Sequence, residues 1–472
     1  MDKENEEKEI LEKKRKELKE RWATSIKKDG VTKPFPGFKD YGWSLETAFE
    51  RLQEMQFQEI LQECRFIGAN QPFFVGNSWY EIVEKPQRSG GYTLEIQQRS
   101  PQAIKTVYGK DFDFENAPKF DDFTSQNDIL NYRQAVGRDG ENTHKCFNLF
   151  PRPLFTMERD FLKTHLMGLC DIFTPLQLVH HVFGKQWFLG LQYLALLIQK
   201  PNQFLPVLCL VSKENQTGKS TFANLLKYML GDCVGFFSSS DLRSDFNTCF
   251  LSHVAVFEEI SNAKTSVDKI KDMATTTRKT INRKNEPQRE YDVNVHIIIN
   301  SNNETGFINA SDEDIRYWVV KVPPLDRYDP FFDRHLKDQA KDFFYFLATF
   351  PHIGEKKSRM WFDPKDIETS SLEILRKCSK SDCAKSLISW ALDATGEKGV
   401  FYATVSDILN FEPSLKKFSP AEIKQALKKE LGMVPANDGE VFRYTHYIRG
   451  CSVTGRPFRF DRETFEQYET DD

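Results

Sequence analysis

The chain has 472 residues, 39% of them apolar and 28% charged, so it is long enough to form two to four domains with buried cores. Its net charge of −4 excludes nonspecific coating of nucleic acid, which needs clustered Lys and Arg, so any DNA binding must use local basic patches. The nine cysteines include no Cys-x-x-Cys pair, which argues against a zinc site and indicates free thiols in a reducing compartment.

Residues 1–204 show three kinds of pattern. Residues 1–35 form a charged extension whose Glu/Lys pairs predict a solvated or partner-bound helix. Residues 36–155 mix a helical pattern with strand-like runs such as PFFVGNSWYEIV, which predicts a small α+β domain. Residues 156–204 have helical periodicity and end in WFLGLQYLALLI, which is too short to span a bilayer. We interpret 156–204 as a helical entry domain whose last helix is buried against the next domain.

Residues 205–368 are predicted to form an α/β domain. Three compact apolar runs, at 207–211, 254–257 and 295–300, predict strands, and helical stretches separate the first two. Strands that alternate with helices favour a parallel sheet.

The first strand runs into SKENQTGKSTFANLLKYML, so a strand, a loop and a helix meet at TGKS. Loop amides and a helix N-terminus together form an anion site, which predicts a phosphate-binding loop. Lys219 would reach the β- and γ-phosphates of ATP, and the Ser220 hydroxyl would ligate Mg²⁺. Lys213 stands where the G-x-x-x-x-G-K-S pattern has its first glycine, which reduces the loop's freedom. The predicted ATP-binding residues are Asn215, Gln216, Thr217, Gly218, Lys219, Ser220 and Thr221.

Polar residues also follow the other two strands. The run HVAVFEEI ends in Glu258 and Glu259, which predicts one carboxylate on Mg²⁺ and the other on the attacking water. The run VHIIINSNN ends in an Asn-rich tip, where Asn302 could orient that water or sense the γ-phosphate.

The order and spacing of these motifs resemble those of superfamily 3 helicases, and most closely the phage, plasmid and poxvirus primase-helicase branch. The resemblance covers roughly residues 60–325 and rests on TGKSTFANLLKYMLGD, FEE, KIKDMATTTRKTINRKN, IINSNN and DEDIRYWVVKVP. It implies a multidomain α/β fold with an AAA+-like P-loop ATPase core. It also implies an ATP- and Mg²⁺-dependent replicative helicase that forms a hexamer on single-stranded or forked DNA. The catalytic residues implied are Lys219, Glu258, Glu259, Asn302 and Arg316, with Ser220 and Glu258 as metal ligands.

Because the family replicates viruses, phages and mobile elements, we expect the chain to act in the cytoplasm of a host cell, with a bacterium as the favoured host. No run of about 18 apolar residues is present, and the N-terminus is charged, so we expect no membrane association. Residues 1–150 contain no convincing set of catalytic acids for priming. A separate primase or polymerase is therefore a possible partner.

Arg316 matches the family's arginine that reaches the ATP of a neighbouring subunit, where it would neutralise charge on the γ-phosphate. An intramolecular salt bridge to Asp312 or Asp314 is the alternative. The family often has two adjacent arginines here, and Ile315 replaces the first.

Between the acids and the Asn-rich strand, TTTRKTINRKNEPQREYDVNV predicts a β-hairpin with a turn at residues 285–287. The resemblance implies that such a hairpin projects into the ring's channel and contacts DNA through Arg283, Lys284 and Arg289. A solvated hairpin with ordinary surface charge is the alternative.

The C-terminal region, 369–472, reads helix, turn, helix and two short strands, which suits a winged-helix-like domain. SPAEIKQALKKELG is the candidate recognition helix, capped by Ser419, with Lys424, Lys428 and Lys429 available for phosphates. A structural or protein-binding winged helix is the alternative.

For the whole chain, two further readings stay open: an origin-binding or regulatory ring ATPase that remodels DNA or protein without processive unwinding, and a nucleotide-binding scaffold that does not hydrolyse ATP.

Overall fold

The computed structural model describes residues 70–86, 92–130, 132–137, 145–155, 172–244, 247–260, 264–282, 288–311, 314–325, 329–350 and 352–466. The chain divides into two compact units, one formed by 1–302 with 318–367 and the other by 303–317 with 368–472. The predicted N-terminal helical extension lies outside the described residues. None of the described helices is long and apolar enough to cross a membrane. The cysteines in the described part of the chain are free thiols, as predicted.

The first unit begins with two small sheets. A four-stranded sheet has the order β3-β2-β1-β4, and a three-stranded sheet has the order β5-β7-β6. Stacking of Phe73 on Phe147, with ring centroids 4.6 Å apart, joins their apolar faces. The elements are β1 (Pro72–Val75), β2 (Ser78–Pro86), β3 (Tyr92–Arg99), α1 (Pro101–Tyr108), β4 (Lys119–Phe120), β5 (Asp122–Thr124), β6 (Ala135–Gly137) and β7 (Lys145–Asn148). The strand-like run PFFVGNSWYEIV is therefore β1 and β2, as predicted.

Two helices follow, α2 (Phe173–Phe183) and α3 (Trp187–Gln199). The α3 segment is apolar on nearly all sides because it is buried on nearly all sides. It shares one hydrophobic core with the large sheet described next, which confirms the predicted buried helix.

The large sheet has five strands in the order β14-β8-β13-β10-β9. Strands β8, β13, β10 and β9 run parallel to one another, which confirms the predicted parallel sheet. Residues 207–211 are buried on both faces, and for this reason the run is apolar without alternation. The elements are β8 (Val207–Val211), α4 (Lys219–Leu230), β9 (Val234–Phe237), α5 (Ser239–Arg243), β10 (Val254–Glu258), α6 (Lys264–Met273), β11 (Arg278–Ile281), β12 (Arg289–Asp292), β13 (His296–Ser301), β14 (Tyr317–Lys321) and α7 (Phe332–Thr349).

The second unit has its own hydrophobic core. Ser419 caps helix α11 in a capping box with Glu422, as predicted. The residues after α11 continue as a π-helical turn, and a two-stranded hairpin follows. The elements are α8 (Ser370–Cys378), α9 (Asp382–Lys398), β15 (Phe401–Ala403), α10 (Val405–Phe411), α11 (Pro420–Gln425), β16 (Phe442–Thr445), β17 (Ser452–Gly455), β18 (Phe458–Phe460) and α12 (Arg462–Glu466).

Candidate functional site

The order of the strands brings the three polar motifs to one edge of the large sheet. Strand β13 lies between β8 and β10, so Ser301 pairs with Val211 and Asn300 pairs with Glu258. The Ser212 amide, which begins the loop after β8, donates to the Ser301 carbonyl at 3.2 Å. The loop, the two acids and Asn302 therefore lie at the carboxyl ends of adjacent parallel strands, where open α/β sheets bind their ligands.

The loop after β8 curls around the Lys219 ammonium. The Lys219 Nζ lies 3.3 Å from the Glu214 carbonyl oxygen and 3.3 Å from the Thr217 hydroxyl oxygen. Gly218 adopts a left-handed conformation, with φ of 97°, immediately before helix α4 begins. Lys219 is buried, whereas Ser220 on the next position is exposed. The loop therefore contains both a cation, the Lys219 ammonium, and the N-terminus of α4.

Helix α2 contacts the loop after β8. The Nε2–H of His181 donates to the Thr217 carbonyl oxygen at 2.9 Å. A β-carbon at Gly218 would lie 3.6 Å from the His181 ring and 3.7 Å from the Leu178 side chain. The loop is therefore held between α2 and the sheet.

The two acids at the carboxyl end of β10 are held by residues at the end of β13 and directly after it. The Asn300 side-chain amide donates to the Glu258 carboxylate at 2.9 Å. Glu259 has a φ of 50°, which ends the strand, and its carboxylate accepts from the Asn302 amide at 3.1 Å. Ser239 of α5 donates to the Glu259 carbonyl at 2.8 Å. Glu258 thus has a side-chain partner on β13, and Glu259 has one directly after that strand.

Asn302 connects the acids to the loop. Its side-chain amide donates to the Asn215 side-chain oxygen at 3.2 Å, while its backbone amide binds Glu259. Asn302 thus links Glu259 to Asn215, which belongs to the same loop as Lys219. The structure brings these residues together, although they are up to 87 positions apart in the sequence.

Two residues of this arrangement were not predicted from sequence: His181 and Asn300. Asn300 is 1% exposed and interrupts the apolar run HIII, and a buried amide inside an apolar strand is a signal that could have identified it. No sequence signal marks His181, because its contact depends on where α2 packs.

Arg316 lies in the second unit and is paired with Asp314. Its Nε is 2.8 Å from the Asp314 carboxylate, whose side chain is almost fully buried. The bond corresponds to the intramolecular alternative considered above. The role of Arg316 towards a neighbouring subunit stays a prediction.

The predicted hairpin is present as the antiparallel pair β11 and β12. Its basic residues in the described strands each have an acidic partner: Arg278 contacts Asp292 at 3.2 Å, Lys279 contacts Asp272, and Arg289 contacts Asp122 of β5 at 2.7 Å. Arg283 and Lys284 lie outside the described residues. The DNA-contact prediction for Arg289 therefore competes with an existing ion pair.

A family described as "Family of unknown function (DUF5906)" matches residues 210–316, which include the loop, both acids, the hairpin and the end of β13. Among solved structures, the chain is similar to the apo structure of the NrS-1 C-terminal region, with a TM-score of 0.54 and 16% identity over 83% of this chain and 95% of that chain. An A-form apo structure of the same region has a TM-score of 0.50 and 16% identity, over 82% and 95% of the two chains. At this identity the likeness shows a shared mixed α/β fold. No curated protein matches the chain.

Proposed function

We propose that this chain is an ATP-driven replicative DNA helicase of the superfamily 3 kind, which works as a ring, expected to be a hexamer, on single-stranded or forked DNA. The observation that carries the proposal is the meeting of Lys219, Glu258, Glu259 and Asn302 at one sheet edge. A buried lysine, two acids and an amide at the ends of three adjacent parallel strands are the parts that phosphoanhydride hydrolysis needs.

Two features support the fit of the site to Mg²⁺ and ATP. The Lys219 ammonium is already surrounded by loop oxygens, and the amides at the start of α4 provide anion-binding donors. No group of three His, Cys, Asp or Glu side chains that could hold a metal ion alone occurs in the described part of the chain. Magnesium held by Ser220 and Glu258 would therefore also rely on phosphate oxygens and water, as is usual for this ion.

Each residue then has a role that its surroundings allow. Lys219 would bind the β- and γ-phosphate oxygens, and Glu259 would take a proton from the attacking water. Asn302 would orient that water, because its amide lies between the loop and Glu259. Bound ATP supplies the bond whose hydrolysis drives movement on DNA.

DNA contact is assigned to the segment with Arg283 and Lys284, which lies outside the described residues. The basic residues on strands β11 and β12 are matched by Asp292, Asp272 and Asp122, so Arg283 and Lys284 are the remaining basic candidates of the predicted hairpin. Several copies of such a segment around a ring would form a basic collar for phosphates. We assign the second unit to the winged-helix-like class, because α10 and α11 are followed by the hairpin β16–β17. The Lys424, Lys428 and Lys429 side chains are exposed on and after α11.

The test is ATP hydrolysis with and without single-stranded DNA. Lys219→Ala should abolish DNA-stimulated hydrolysis, with a loss of at least about 100-fold, because no other described cation is buried in the loop. Lys337→Ala is the control, since Lys337 is exposed on α7. It should hydrolyse ATP like the unaltered protein. Hydrolysis that persists in a folded Lys219→Ala protein would show that this loop is not the ATPase site.

A further inference from the structure

Asn300 lies at an unusual place in the sheet. It is 1% exposed on the central strand β13, directly after the apolar residues Ile297, Ile298 and Ile299. Its lateral neighbour on β10 is Glu258. An apolar residue would fill this position without burying a polar group, so the amide calls for an explanation.

The hydrogen bonds of Asn300 define the orientation of its amide. The Nδ2 group donates to a Glu258 carboxylate oxygen at 2.9 Å. The opposite orientation would place two acceptor oxygens against each other, so the donor must face the carboxylate. The Asn300 Oδ1 is fully buried and accepts no hydrogen bond from any of the residues that the structure describes.

We propose that Asn300 is a positioning residue for Glu258, whose carboxylate it holds through its side-chain amide during hydrolysis. This inference rests on the proposed function, because it gives Asn300 a role in positioning one of the same two acids. The amide holds the carboxylate in one orientation. Outer partners of this kind orient ligating carboxylates in metal sites.

The backbone hydrogen bonds around Asn300 distinguish this positioning role from a general structural role of the residue. The Asn300 carbonyl accepts from the Glu259 amide at 3.0 Å, and the Ser301 carbonyl accepts from the Ser212 amide at 3.2 Å. These bonds belong to the main chain and persist whatever side chain stands at position 300. A side-chain substitution therefore alters the orientation of Glu258 while the strand keeps its register.

The test is the pH dependence of ATP hydrolysis by Asn300→Asp. Near neutral pH the introduced carboxylate faces Glu258 and repels it, so kcat should fall about 10- to 100-fold while KM for ATP changes about threefold or less. As the pH is lowered, the introduced carboxyl gains a proton and can again donate to Glu258. The activity of Asn300→Asp relative to the unaltered protein should therefore rise towards acid pH.

Two further variants keep the result decisive. Asn300→Leu removes the donor without adding charge, so its kcat should be low at every pH. Asn294→Asp is the matched control, because Asn294 is also a buried amide with an unmatched side-chain oxygen but lies before the other end of β13. It should show no pH-dependent change in relative kcat.

A constant ratio of Asn300→Asp to unaltered activity across pH would overturn the inference, as would normal kcat in a folded Asn300→Leu protein. If Lys219→Ala abolishes hydrolysis and both Asn300 variants behave normally, only this inference fails. If Lys219→Ala retains hydrolysis, the proposed function itself fails.

Discussion

At the scale of single residues, the loop after β8 tolerates its missing first glycine. Within this loop, positive φ occurs at Gln216 and Gly218 and not at Lys213. A side chain at position 213 therefore introduces no backbone strain. The departure from the G-x-x-x-x-G-K-S pattern affects a position where glycine's freedom is not used.

The residues that could be predicted from sequence are those within a local motif. Gly218, Lys219 and Ser220 stand at a strand-to-helix junction, and the acids stand at a strand end. His181 and Asn300 act across the fold, at separations of 36 and 42 positions from Thr217 and Glu258. Contacts of that kind depend on helix packing and strand register, which a single sequence does not specify.

The contact between His181 and the loop predicts a residue-scale effect. His181→Ala removes the donor to the Thr217 carbonyl, so the loop should lose part of its order and bind ATP about 5- to 10-fold more weakly. His181→Gln should restore most of the affinity, because its amide can occupy the place of Nε2–H.

Equilibrium binding of a fluorescent ATP analogue measures this effect. His180→Ala is the control, since His180 neighbours Trp187 on another side of α2. Equal affinity for His181→Ala and the control would show that the His181 contact does not support the loop.

At the scale of elements, burial explains which strands were predictable. Strands β8, β10 and β13 are buried along most of their length, and each contains a run of three or more apolar residues. Strand β9 is at the edge of the sheet, and its Phe236 is 46% exposed, so its short VGFF run gave no clear signal. Strand β9 is less buried than β8, β10 and β13, and it was not predicted.

The amino ends of β10 and β13 contain a buried histidine pair. His253 and His296 have ring centroids 4.9 Å apart, and they bind the Leu197 and Pro201 carbonyls. Burial lowers the pKa of His253 well below its ordinary value and lowers the pKa of His296 to about 4. The neighbouring imidazole lowers the pKa of His253 further.

The histidine pair predicts that the folded state loses stability as the pH falls. Both folded-state pKa values are below the unfolded value of about 6.5, so below pH 6.5 the unfolded chain binds more protons and stability falls. Between pH 7.5 and pH 5 the first unit should lose about 2 kcal/mol for each histidine.

Urea unfolding at the two pH values measures that loss. His296→Gln should reduce the difference between pH 7.5 and pH 5, whereas His335→Gln, on an exposed position of α7, should leave it unchanged. An unaltered pH dependence in His296→Gln would contradict the assignment to this pair.

At the scale of the whole molecule, the two units have separate cores, and the candidate site is built from the first. The sequence predicted a domain boundary between residues 368 and 369, and the second unit of the structure comprises residues 303–317 and 368–472. It did not predict that residues 303–317 belong with the second unit. Such an assignment follows from long-range packing rather than from local pattern.

The central claim is that ATP hydrolysis at Lys219 drives strand separation through the basic residues Arg283 and Lys284. The most direct measurement is ATP-dependent unwinding of a forked DNA duplex by the unaltered protein, Lys219→Ala, Lys284→Ala and Arg278→Ala. We predict unwinding by the unaltered protein and by Arg278→Ala, whose charge is already matched by Asp292. Lys219→Ala should neither hydrolyse nor unwind, and Lys284→Ala should hydrolyse ATP without unwinding. Unwinding by Lys219→Ala, or none by an unaltered protein that hydrolyses ATP on the same DNA, would contradict the account.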